Sequence, residues 1–195
     1  MISAIILAAG TSSRMGRTKQ LLKAGNSTMI RTVTENVLAS SVDEVLVVTG
    51  YHHNEVSAAI NDLPVQIIFN PHYEAGQGTS LALGVRSIDV KTSAFLVFMA
   101  DQPLISASLI NILIKEFQKR NCQVFRPVCD GLPGHPVIFS YSLCEELTNL
   151  AGDEGARQVL KRLEGKVEYF PVQDKAVVFD IDTPECYKEF VNMVN

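Results

Sequence analysis

Continuous apolar runs recur at residues 2–7, 45–48, 65–69 and 95–99, each followed by turn-formers or a polar loop. Short runs rich in Val, Ile and Phe predict strands. Because they do not alternate with polar residues, they predict a parallel sheet covered on both faces. Between them the spacing becomes helical. Over 29–39, Ile30, Val33, Val37 and Leu38 fall on one side, and helical patterns follow at 53–61, 80–87 and, longer, 106–119. Strand and helix in strict succession imply right-handed crossovers and an α/β fold, mostly parallel, with helices on both faces.

After Arg126 the rhythm changes, and PVCDGLPGHPVIF reads as a turn feeding a short strand. Helical patterns at 142–149 and 155–163, strands at 167–171 and 176–179, and a helix from Pro184 complete the chain. No linker, repeat or low-complexity tract interrupts it, so residues 1–195 are expected to form a single domain.

Composition narrows the function. With 195 residues, 47% hydrophobic and 19% charged, the chain can bury a sizeable core. A net charge of −4 and a pI near 5.6 argue against a broad polyanion-binding face, so no nucleic acid partner is expected. The first apolar run is too short for a membrane span and lacks the basic lead of a signal peptide, which points to a cytoplasmic protein without membrane association. Cys122, Cys129, Cys144 and Cys186 are scattered without zinc-site spacing and read as buried thiols.

The first strand runs into LAAGTSSRMGRTKQ. In an open α/β sheet, ligands sit beyond the carboxyl ends of the strands. Gly10, Thr11, Ser12 and Ser13 can bring backbone N–H groups close to phosphate oxygens, and Arg14 and Lys19 add charged donors. Neither the G-x-G-x-x-G dinucleotide fingerprint nor the G-x-x-x-x-G-K-[ST] loop fits this spacing, which argues against a dinucleotide-dependent oxidoreductase. Two carboxylate sites could hold a hard divalent cation. Asp101 directly follows the strand AFLVFMA, and Asp180 and Asp182 follow AVVF. Either Asp182 or Thr183 could instead cap the last helix, and the two aspartates share a direction only if the strand continues through both.

The segment LAAGTSSRMGRTK resembles the signature of sugar-nucleotide-type nucleotidyltransferases, and within them the molybdenum cofactor transferases, whose pattern is close to LA(A/G)G-x-S-x-R-M-G-x-x-K. EAGQGTSLALG, MADQPLI, GLPGHPVIF, GDEGARQVL and DIDTPECY are similar to later motifs of that group, in the same order. The resemblance implies a Rossmann-like three-layer fold and transfer of a nucleoside monophosphate from an NTP to a phosphorylated acceptor, with release of pyrophosphate. It also implies catalytic roles for Arg14, Lys19 and Asp101, Mg²⁺ held by Asp101 and Asp182, and nucleotide contacts from Leu7, Ala8, Ala9, Gly10, Thr11, Ser12 and Ser13. Gly78, Thr79 and Ser80 would meet the base or ribose, unless Thr79 or Ser80 only caps a helix. Ala9, where guanylyl members tend to carry Gly, and Thr18 before Lys19 favour CTP. Gly134, His135, Asp153 and Arg157 are expected on the acceptor side, where the resemblance implies molybdopterin cofactor and, beyond it, a molybdenum hydroxylase apoenzyme as partner. A guanylyltransferase, another NTP transferase with a different acceptor, and a carrier protein that delivers the cofactor without turnover remain open readings.

Overall fold

The computed structural model describes residues 1–153 and 155–194. Its chain order is β1 (Ile2–Ala8), a short β2 (Lys23–Ala24) and β3 (Ser27–Thr28) hairpin, α1 (Met29–Leu38), β4 (Glu44–Thr49), α2 (His53–Ala58) and β5 (Gln66–Phe69). Then come α3 (Gln77–Ser87), β6 (Ala94–Met99), α4 (Ala107–Gln118) and β7 (Val124–Cys129). The last third holds β8 (Leu132–Pro133), β9 (Val137–Ser140), α5 (Cys144–Leu147), α6 (Arg157–Arg162), β10 (Val167–Pro171) and α7 (Pro184–Val194).

The main sheet runs β10-β7-β9-β6-β1-β4-β5, with β8 added beside β7. β1 pairs in parallel with β4 and β6, in register from Ile2 opposite Ala94 and Ser3 opposite Glu44. β9 runs antiparallel between β6 and β7. Side chains alternate across the sheet as the pleat requires. Ala4, Ile6, Val47 and Phe98 face α1, α2 and α4, while Ile5, Leu7, Val48 and Phe95 face α3, α5 and α6. These are the two helical layers expected from the pattern. A third, smaller cluster joins Met15, Leu22 and Met29 to Ile181 and Phe190 of the C-terminal segment.

Several local expectations differ from the structure. The run 176–179 is not a strand but part of a 3₁₀ turn, Lys175–Val178, because the Asp174 carboxylate accepts from Ala176 N at 3.0 Å and closes the turn. The strand near 65–69 lies at the sheet edge, where Phe69 is 46% exposed, and is therefore not covered on both faces. The helix expected from Ser80 begins at Gln77, and the helices expected over 53–61 and 155–163 are shorter, at His53–Ala58 and Arg157–Arg162.

Candidate active site

β1 runs into the glycine-containing loop that carries Arg14 and Lys19. Ser12 has a left-handed backbone, φ 56°, and its Oγ accepts from Lys19 N at 3.1 Å and donates to Gln20 Oε1 at 3.2 Å. Gln20, 1% exposed, returns its amide to Gly10 O at 3.0 Å. The loop is thus folded over its own glutamine, and Lys19 is aimed back at the sheet. Gln20 carried no sequence signal beyond its place beside Lys19, since its partners are fixed by the path of the chain.

Asp101 follows β6 on the neighbouring strand and is 5% exposed. Lys19 Nζ bonds to Asp101 Oδ2 and, at 2.8 Å, to Asp182 Oδ1, and Arg14 Nη2 reaches Asp182 Oδ2 at 2.9 Å. Asp182 arrives here because Ile181 N donates to Asp101 O at 3.0 Å and the Ile181 side chain is fully buried. With Ile181 turned into the third apolar cluster, Asp180 and Asp182 both line the cleft, although no strand runs through them. The helix cap falls to Thr183, whose Oγ1 accepts from Cys186 N at 3.3 Å.

The electrostatics follow from this crowding. Burial opposes charge on Lys19, but Asp101 and Asp182 outweigh it and raise its pKa above the ordinary lysine value. Burial likewise opposes the Asp182 carboxylate, yet Lys19 and Arg14 bring its pKa below the usual range. Asp180 is pushed up to about 6 by desolvation and by Asp101 and Asp182, against a hydrogen bond from Gln102. Asp101 Oδ1 is buried with no partner. Among the described residues no group of three or more His, Cys, Asp or Glu side chains is arranged to hold a metal alone. A cation of the magnesium type, which takes one or two carboxylates and completes its shell with substrate phosphates and water, fits this sparse donor set and the orphaned Asp101 oxygen.

Two cavities meet at Lys19, Asp101, Gln77 and Met99. The first, about 290 Å³, is lined by Leu7, Ala9, Gly10, Thr11 and Ser80, and also by Tyr73, Glu74 and Asp153. Ala8, Ser12, Ser13, Gly78 and Thr79 do not line it. Thr79 and Ser80 accept from Asn70 Nδ2, both at 2.9 Å, and Gly78 N donates to Gly152 O at 2.8 Å. Gly76 has φ +108° and a Cβ there would lie 2.3 Å from Gly152 C, so the two glycines of AGQG let the 151–153 loop cross the start of α3. Asp153, expected beside the acceptor, therefore sits in the first cavity.

The second cavity, about 360 Å³, is lined by Arg14, Arg126, His135, Arg157, Asp180 and Asp182. Gly134 does not line it. A Cβ on Gly134 would lie 2.3 Å from Val177 O, and its carbonyl accepts from Arg126 Nε at 2.8 Å, so it shapes the wall from behind. The half-buried His135 imidazole lies near Arg126 and Arg157, and burial together with these two cations pushes its pKa down to about 4. It is neutral at physiological pH.

Known proteins resemble this chain in sequence and, separately, in fold. A molybdenum cofactor cytidylyltransferase of Escherichia coli is 32% identical over 95% of this chain and 93% of its own length. The purine catabolism protein PucB of Bacillus subtilis is 31% identical over 94% of this chain and 92% of its own. Among solved structures, Rv0371c of Mycobacterium tuberculosis superposes with a TM-score of 0.89 at 22% identity, covering 98% of this chain and 97% of that one. A nucleotidyl transferase from Methanothermobacter superposes with a TM-score of 0.84 at 24% identity, covering 99% of each. Residues 4–167 match the MobA-like NTP transferase domain. With the strand-end loop, the Lys19 bridge and the two-part cleft already in place, the chain belongs to that family and is a nucleotidyltransferase.

Proposed function

We propose that the enzyme transfers CMP from CTP to the terminal phosphate of molybdopterin cofactor, releasing pyrophosphate and forming the cytosine dinucleotide. The observation that carries this reading is the position of Lys19, bridging Asp101 and Asp182 where the two cavities meet. On this reading the first cavity takes the base and ribose and the second the acceptor, with the α-phosphorus at their junction and the β- and γ-phosphates reaching Arg14 on the rim of the second. Lys19 and Arg14 exchange their carboxylate partners for phosphate oxygens, Lys19 at the α-phosphate and Arg14 at the departing pyrophosphate. Mg²⁺ held by Asp101 and Asp182 would supply neutralisation of phosphate charge. No side chain need act as a nucleophile, because catalysis of this kind is mostly positioning and electrostatics.

Support for the base comes from Ala9 on the cavity wall and from the cytidylyltransferase of E. coli, matched along nearly its whole length. A probable molybdenum cofactor guanylyltransferase of Natranaerobius thermophilus, 30% identical over 67% of this chain, is the ground for the second reading, GTP as donor. Pyrophosphate release, measured with Mg²⁺, molybdopterin cofactor and each of CTP, GTP, ATP and UTP in turn, tests the proposal. Release with CTP alone is expected; release with GTP alone would replace cytidylyl by guanylyl transfer, and release with none would remove molybdopterin as acceptor.

A further inference from the structure

Arg126 stands in the middle of β7, in the run VFRPVC, where the neighbouring Phe125 and Pro127 are buried. A guanidinium there is costly to desolvate. Two of its five N–H donors are spent on backbone, with Nε on Gly134 O at 2.8 Å and Nη2 on Pro133 O at 3.2 Å. Arg126 lines the second cavity, and so does Arg157 at the start of α6. Among the described residues neither arginine forms a salt bridge. The carboxylate of Asp180, on the same cavity wall, attracts Arg126 only at longer range.

The two cations repel one another, and burial together with Arg157 depresses the Arg126 pKa from its ordinary value. The neighbouring His135 yields to the same field by staying neutral, so it can offer a ring N–H without adding a third charge. An arrangement of like charges facing an open cavity is stabilised by an anion with about two negative charges and several acceptor oxygens. A phosphate monoester is such an anion, carrying about −1.5 to −2 at neutral pH and presenting three strong acceptors.

We infer that Arg126, with Arg157 and His135 lining the same cavity, anchors the phosphate monoester of the acceptor in the second cavity. The inference rests on the proposed transfer reaction for the direction of attack. In that reaction an oxygen of the anchored dianion forms a bond to the α-phosphorus, the bond from that phosphorus to the α,β-bridging oxygen breaks, and the electron pair leaves on pyrophosphate. A dianionic nucleophile needs no proton removed, and the charges of reactants and products balance without one. Gly134 is then a positioning residue, since its close approach to Val177 sets the carbonyl that holds Arg126.

The test titrates inorganic phosphate into protein saturated with Mg²⁺ and a non-hydrolysable analogue of the nucleotide it binds most tightly, followed by ³¹P NMR. Wild-type protein should bind phosphate; Arg126→Met should weaken that binding at least about tenfold and leave the nucleotide dissociation constant within about twofold, with Arg126→Lys in between. Arg157→Met, which leaves the Pro133–Gly134 contacts intact, should weaken phosphate binding at least about threefold even if Arg126→Met fails to fold. In steady-state assays Arg126→Met should raise KM for the acceptor and not for the nucleotide. No phosphate binding by the nucleotide-loaded wild type, or unchanged binding in both methionine variants, would overturn the anchor. Equal losses for nucleotide and phosphate would overturn it too, as they would reveal a general structural defect. If the wild type releases no pyrophosphate with molybdopterin, the proposed reaction falls, and the phosphate titration still decides the anchor.

Discussion

The side chain at the centre of the cleft is Lys19, whose ammonium occupies the place between two carboxylates that a divalent cation would compete for. Replacing it therefore has two separable effects. Lys19→Met should lower turnover by more than about tenfold, a loss of ~1.4 kcal/mol of transition-state stabilisation. It should also tighten Mn²⁺ binding in the absence of nucleotide, measured by electron paramagnetic resonance, since Asp101 and Asp182 lose their bound cation; weaker metal binding would contradict the bridge. Asp101→Ala should abolish transfer, and circular dichroism should show the fold retained. His135 gives a pH signature. Its folded pKa, about 4, lies below the ordinary 6.5, so between those values the unfolded chain binds more protons and stability falls as the pH drops. Melting temperatures recorded across that window should fall less in His135→Gln than in the wild type.

Elements place these residues, and the loop crossing at α3 is the most exacting of them. Gly76→Ala would put a methyl group against the Gly152 backbone at a positive φ. Strain and overpacking each cost about 1–3 kcal/mol, so denaturant unfolding should show a loss of at least about 2 kcal/mol. This crossing was not legible in sequence, because AGQG reads equally well as a ligand loop and only the path of residues 151–153 decides between them. The strand-end position of Arg14, Lys19 and Asp101 was legible, since apolar runs of that kind end at the ligand-facing rim of an α/β sheet. Asp182 was half legible: its direction depends on the burial of Ile181, which a short 3₁₀ turn sets and a strand pattern hides. Arg126 was missed, yet a signal existed in VFRPVC, where a charged residue interrupts a run that otherwise belongs to the core.

At the scale of the whole molecule, the smallest apolar cluster has the widest reach. Met15 and Leu22 from the cationic loop, Met29 from α1, and Ile181 and Phe190 from the C-terminal segment share it. The two ends of the chain are thereby packed together, and Arg14 and Lys19 meet Asp182 across that packing. Phe190→Ala should cost about 3–5 kcal/mol of stability by opening a cavity. It should also weaken nucleotide binding, measured by calorimetry at a temperature where the variant remains folded, although Phe190 does not line the cleft.

The hydrogen bond from Gly78 N to Gly152 O ties the start of α3 to the segment that brings Asp153 into the first cavity. Gln77, beside that bond, lines both cavities. In kinetic terms, the proposed direct transfer with no side chain as nucleophile requires both substrates in the joined cavities before either product forms, so the reaction should be sequential. Initial-rate plots at varied nucleotide and acceptor should intersect, and no pyrophosphate should appear while the acceptor is absent; parallel plots would instead reveal a covalent nucleotidyl-enzyme.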